Sequence, residues 1–253
     1  MKQIAGANMT GGMIDLCEQV NPKVVQEMKA PHPVPEMRRV QESWVASGEK
    51  RTLLWLATRT PQWINPDHLT ALGLAAQVSA GACYALARWN DYALLGVILF
   101  LALNWLGDSL DGTLARVRQK LRPCYGFYVD HMVDTFGALA LMGGLALSGL
   151  MRPWIAIGLL IAFLMLSIQS YLATHALGEF RLSFFRFGPT ELRLLLVAGN
   201  LAWLWKPEVH FFGEEYRLFD AGGAIGLAGM AAVLIYFTLQ NTLRLYHAER
   251  LSQ

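Results

Sequence analysis

An all-α integral membrane protein is predicted by three observations: long apolar segments, a shortage of charge, and basic residues gathered on one side. Of the 253 residues, 54% are hydrophobic and 16% charged, where an ordinary soluble domain carries about a quarter charged. Six segments (69–87, 92–114, 126–150, 153–174, 188–206 and 221–243) can each cross a roughly 30 Å hydrocarbon layer as a helix of about 20 residues. With the N-terminus in the cytoplasm, 17 of the 21 Lys and Arg fall on that side. That asymmetry predicts a multi-pass bundle of six transmembrane helices with both termini cytoplasmic. The bilayer is the expected partner, and nucleic acid is not.

The elements follow in order. Residues 1–35 are polar, with Pro-His-Pro-Val-Pro at 31–35, and predict a flexible N-terminal segment without a cleaved signal. Residues 36–64 form a juxtamembrane region in which Trp44, Leu53, Leu54, Trp55 and Leu56 mix with Arg38, Arg39, Lys50, Arg51 and Arg59. This pattern predicts an amphipathic helix in the interface, its basic residues facing headgroups. A helix packed on the protein itself is the other reading, and Gly48 is a candidate break. Residues 65–253 hold the six spans. Pro61, Asn65 and Pro66 open the first, where Asn65 or Asp67 can cap. Arg122-Pro123, Arg152-Pro153, Gly188-Pro189 and Lys206-Pro207 mark later boundaries. Small residues recur in the third span (Gly137, Ala140, Gly143, Gly144) and the sixth (Gly222, Gly226, Gly229). They predict close helix packing or a homodimer face. Cys17, Cys83 and Cys124 are scattered and predict neither a disulfide framework nor a zinc site.

Acid inside such a chain needs a reason, because carboxylates near a bilayer are costly and usually functional. Asp108-x-x-Asp111-Gly112-x-x-Ala115-Arg116 closes the second span, and Gly126-x-x-x-Asp130-x-x-x-Asp134 opens the third. Residues three and four apart share a helix face. Two adjacent antiparallel helices would therefore bring four carboxylates to one point. At about 4 Å and an effective dielectric of about 20, each pair repels by roughly 4 kcal/mol, so the group calls for cations. Oxygen-only ligands select Mg2+ or Mn2+, and two such ions suit phosphoryl chemistry. Gly112 and Ala115 leave room for a flat ligand, and Arg116 can reach a phosphate. Arg118 and Lys120 read as the ordinary basic cytoplasmic signal. His131 reads as structural.

These residues resemble the signature of the CDP-alcohol phosphatidyltransferases, Asp-x2-Asp-Gly-x2-Ala-Arg-x8-Gly-x3-Asp-x3-Asp. Every fixed residue is present, although nine residues rather than eight separate Arg116 from Gly126. Pro66-Asp67-His68-Leu69-Thr70 is similar to the entry these enzymes carry before their first span. The resemblance implies phosphodiester formation by an alcohol that displaces CMP from a CDP-linked lipid or CDP-alcohol donor. It implies Asp108, Asp111, Asp130 and Asp134 as metal ligands, with Asp134 also the base. It implies Asp67, Thr70, Gly112, Ala115, Arg116, Arg122 and Gly126 around the CDP portion.

For the acceptor the cues divide. Arg186 and Arg193, in the basic stretch opening the fifth span, resemble residues that face phosphorylated alcohols such as inositol phosphate or glycerol phosphate. Arg193 can equally pair with Glu191. Asp130-His131 instead resembles the branch in which diacylglycerol attacks CDP-choline or CDP-ethanolamine. A cation transporter and a silent membrane scaffold are the alternatives from other classes. A transporter predicts acids near mid-span, whereas these lie at the cytoplasmic ends.

Overall fold

Prolines set where four helices begin. Pro66, Pro123, Pro153 and Pro189 each occupy the first helical position, where a missing N–H costs nothing and φ is preset. The computed structural model describes residues 38–40, 46–177, 179–181, 188–211 and 214–249. The expected N-terminal segment 1–35 and Arg186 lie outside them. In chain order come β1 (Arg38–Val40), α1 (Ala46–Arg59), α2 (Pro66–Leu86), α3 (Ala93–Val117), α4 (Pro123–Ser148) and α5 (Pro153–Leu177). Then follow β2 (Glu179–Arg181), α6 (Pro189–Trp205), β3 (Glu208–Phe211), β4 (Glu214–Arg217) and α7 (Leu218–Ala248).

The fold is all-α apart from two short strand pairs. Among the described residues, α2, α3, α4, α5 and α7 are long and apolar enough to cross a membrane. The sixth predicted span is α6, which has 17 residues and rises only about 26 Å at 1.5 Å per residue. Two local expectations are corrected. Residues 38–40, placed in the helical juxtamembrane region, are extended and pair in parallel with 179–181. Gly48 does not break α1, which runs through it. The acidic 206–220 loop forms a hairpin in which Glu208 faces Arg217, and His210 Nε2 meets Glu215 Oε1 at 2.8 Å.

At the centre stands α2, which packs on both α3 and α4; α5 packs on α4 and α7, while α1 and α6 each pack on α3. α3 and α4 are not among the closely packed pairs. Each of the two aspartate-bearing helices packs extensively on α2. A Cβ at Gly107 would lie 2.6 Å from the Leu69 carbonyl oxygen and 2.7 Å from Gly73 N. A Cβ at Gly144 would overlap the Gly81 carbonyl, and one at Gly137 would overlap the Gln77 amide. Small side chains let these backbones touch, as membrane helices commonly do. Gly143, Gly222 and Gly229 have open space instead.

The buried core continues from this crossing through Ala80, Tyr84, Leu94, Val97, Leu101, Leu141 and Leu145. Leu53 and Ala57 of α1 pack with Leu69, Leu110 and Leu114 in a second cluster. On its other side α1 exposes Leu54 and Trp55, with the Arg59 guanidinium 4.1 Å from the Trp55 ring centre. One face is thus packed on the protein and the other left for an apolar medium. A similar outward stripe runs along α5 through Ile157, Ile161, Ile168 and Leu172, the pattern of a helix solvated by lipid.

Both ends are tied by charged groups. Gly149, in the left-handed region at φ 77, ends α4, a conformation glycine adopts without strain. Its carbonyl accepts from Arg217 Nη1 at 2.9 Å. Buried Asp220 accepts from the Arg152 backbone N–H at 2.6 Å. At the opposite end, Arg118 donates to the carbonyls of Thr60, Pro61 and Ile64. It has a structural clamp's role there rather than that of a merely topological charge. Cys83 is a free thiol, whereas Cys124 is disulfide-bonded, a pairing that the scattered spacing did not suggest.

Gly144→Ala is expected to destabilise the protein by about 1–3 kcal/mol through overpacking, seen as a lower melting temperature in detergent. Gly143→Ala should leave it unchanged. Equal melting temperatures for the two variants would contradict the backbone crossing described here.

Candidate active site

Three helices meet at the Arg118 end, and each contributes through spacing its sequence already contains. On α2, Thr70, Gly73 and Gln77 fall three and four residues apart and share one face. On α3, Asn104, Asp108 and Asp111 do the same. On α4, Asp130 and Asp134 stand about two and three turns from its start at Pro123. Because α2 lies against both partners, its polar face becomes the seam between the two acid pairs.

Contacts along the seam are specific. The Thr70 hydroxyl donates to Asp111 Oδ2 at 2.6 Å, and the Gly112 N–H donates to Asp111 Oδ1 at 2.5 Å. Asn104, only 2% exposed, donates from Nδ2 to the Gly73 carbonyl at 3.0 Å and to Gln77 Oε1 at 3.2 Å. Its Oδ1 accepts from Arg193 Nε at 2.8 Å, and Arg193 Nη2 donates to Asp108 Oδ2 at 2.6 Å. Asp108, Asp130 and Asp111 all act electrostatically on half-buried Asp134, and Arg193 offsets them. Asp134 thus lies in the field of the other three carboxylates. Among the described residues, however, no three His, Cys, Asp or Glu side chains are already gathered as a metal-ligand set. Arg193 and Thr70 hold oxygens of Asp108 and Asp111 instead.

The remaining predicted residues surround this group. Arg116 folds back, its Nε donating to the Gly112 carbonyl at 3.0 Å, and its side chain is exposed. Asp67 and Arg122 form an ion pair with each other, 49% and 52% exposed. Among the described residues, nothing outside its own helix lies within 4 Å of a Cβ built on Gly126. Between Arg116 and Gly126 the chain turns sharply. Gln119 has φ 54, its N–H donates to the Arg116 carbonyl at 3.1 Å, and the Lys120 N–H donates to Ala115 at 2.9 Å. These are the two bonds of a Schellman turn with glutamine in place of the usual glycine. The longer spacing falls in this connection and leaves both helices intact. Glu191 Oε2 accepts from the Gly188 N–H at 3.0 Å, while Arg193 turns inward.

Sequence reasoning missed three participants. Glu49, at the start of α1, accepts from Trp105 Nε1 at 2.7 Å, Ser109 Oγ at 3.2 Å and Thr190 Oγ1 at 3.1 Å. It ties α1 to α3 and α6 beside Asp108. Its signal was the single acid among the basic and apolar residues of 46–59. Asn104 was detectable as an amide four residues before Asp108. Tyr171 of α5 feels the charges of Asp134 and Asp130, and its ring meets His131 at 4.9 Å between centroids. His131 also stacks on Phe127 at 4.2 Å, in keeping with a structural reading.

Comparison with known proteins bears on this geometry. The family model described as CDP-alcohol phosphatidyltransferase matches residues 63–240. No curated protein matches the chain in sequence.

Glu49→Ala should loosen α1, costing about 1–3 kcal/mol for donors left unpaired and raising hydrogen exchange across residues 46–59. Glu49→Gln, which retains an acceptor oxygen, should recover most of the protection. Failure of Glu49→Ala to alter exchange would show that the three bonds do not hold α1.

Proposed function

The chain belongs to the CDP-alcohol phosphatidyltransferase family, and from that premise we propose that it acts at the aspartate end of the bundle. There it transfers a phosphatidyl or phospho-alcohol group from a CDP-linked donor to an alcohol and releases CMP. Membership itself implies a transferase of phospholipid synthesis in a membrane. The observation that supports the local reading is the hold of Thr70 on Asp111 and of Arg193 on Asp108, with both acids close enough to Asp134 on α4 to act on its charge.

Asp108, Asp111, Asp130 and Asp134 would hold Mg2+ or Mn2+, with two ions the natural complement of four acids. The donor set fits: its oxygens suit hard cations, and a guanidinium on Asp108 is consistent with a place for positive charge. When bound, such ions neutralise a pyrophosphate and ease the departure of CMP.

The other steps belong to side chains. The acceptor oxygen forms its bond to phosphorus as the bond to CMP breaks, and CMP leaves with that electron pair. Asp134 takes the hydroxyl proton as attack proceeds. Thr70 fixes the Asp111 carboxylate. Gly112 and Ala115 keep the surface of α3 low for the CDP portion, and exposed Arg116 swings toward a phosphate. Asp67 and Arg122 exchange each other for the nucleotide and its pyrophosphate, beside open Gly126. Arg193 stands on the acceptor side.

We further infer that α6 is the sixth span, its short length extended by flanking residues, and that residues 65–253 form one membrane domain. α1 then lies along the interface as the juxtamembrane element. The excess of Lys and Arg puts the site and both termini in the cytoplasm. All four acids lie in the halves of α3 and α4 nearest the 118–122 connection, which favours this reading over a transporter with acids spread among several spans.

Purified protein supplied with CDP-diacylglycerol and a panel of alcohols, or with CDP-choline or CDP-ethanolamine and diacylglycerol, should release CMP in a metal-dependent manner. No CMP from any pairing would end the proposal. Asp134→Asn should lower turnover by at least about a hundredfold, the usual scale of base catalysis, with donor binding retained. Comparable turnover would remove the base assignment.

A further inference from the structure

Arg193 makes two unlike contacts. Nε rests on Asn104, whose amide is fixed because its Nδ2 already donates to the Gly73 carbonyl and Gln77 Oε1. Nη2 rests on Asp108 Oδ2 at 2.6 Å, with only 14% and 25% of the two side chains exposed. A charge-assisted bond so shielded from water is strong. The same guanidinium also acts on Asp134 from within the acid group. Asn104 is thus a permanent anchor, while the bond to Asp108 occupies an oxygen from the proposed metal-ligand set.

We propose that Arg193 is the built-in counter-ion of the carboxylate cluster, competing with divalent cations for Asp108 and leaving that carboxylate when they bind. The inference rests on the metal-ligand reading above. Four acids sharing one field require compensation when no metal is present, and Arg193 supplies one positive charge at the cluster's edge. A cation drawn to Asp108 must displace that bond and overcome repulsion by the guanidinium. The acids thereby stay soluble as a group within a low-dielectric bundle, at the cost of weaker metal binding. Anchoring through Asn104 keeps the released guanidinium beside the site.

The test measures Mn2+ binding to the purified protein in detergent by electron paramagnetic resonance, without substrates. Arg193→Gln should bind Mn2+ roughly tenfold more tightly, the scale of losing one charged hydrogen bond from the competing state. Arg193→Lys, which keeps the charge, should remain near wild type. A Mn2+ affinity in Arg193→Gln that is unchanged or weaker overturns the proposal. Should that variant not fold, wild-type protein decides the matter through phenylglyoxal labelling of Arg193, read by peptide mass spectrometry. Adding Mg2+ should raise labelling severalfold, and unchanged labelling overturns the proposal. Two outcomes fall on the reading beneath instead: no Mn2+ binding by wild type, or binding untouched in Asp108→Asn. Either removes the metal site itself and the proposal with it.

Discussion

Where α2 crosses its two neighbours, main chain lies against main chain, and the position of every acid follows from that contact. Gly107 admits the backbone of α2 at Leu69 and Gly73, while Gly144 admits it at Gly81. Neither crossing leaves room for a methyl group. α3 and α4 are thereby both fixed against a common third helix. On that helix Thr70 bonds Asp111, the Gly73 carbonyl accepts from Asn104, and Gln77 meets both Asn104 and Gly137.

Charge among the buried acids is managed by bonds of different kinds. Thr70 and the Gly112 N–H satisfy Asp111 with neutral donors, whereas Asp108 receives a cation from α6. Among the described residues, neutral donors from α3 and α6 meet Glu49 Oε1, and these three bonds bring the start of α6 to α3. Thr190 and Arg193 are three residues apart on α6, so the same turn of helix serves the Glu49 node and the aspartate cluster.

Much of this was legible in the chain, and the limits have physical causes. Helix positions followed from apolar runs and from Pro66, Pro123, Pro153 and Pro189, because those signals are local. The family followed from a tight pattern of aspartates, glycines and arginine. Contacts between distant segments were not legible. Periodicity places Asp108 and Asp130 on faces of their own helices but does not reveal that both helices pack on α2. Arg118 looked like an ordinary cytoplasmic charge because its three carbonyl partners lie more than fifty residues away. The pairing of 38–40 with 179–181 joins segments even farther apart, and three residues carry too little pattern to announce a strand.

The carbonyls held by Arg118 belong to the short connection between α1 and α2. That connection is riveted to the end of α3, while Glu49 pins the other end of α1 to the same helix. α1 is therefore tied at both ends to the helix that bears Asp108 and Asp111, and neither can shift along the other without breaking those bonds.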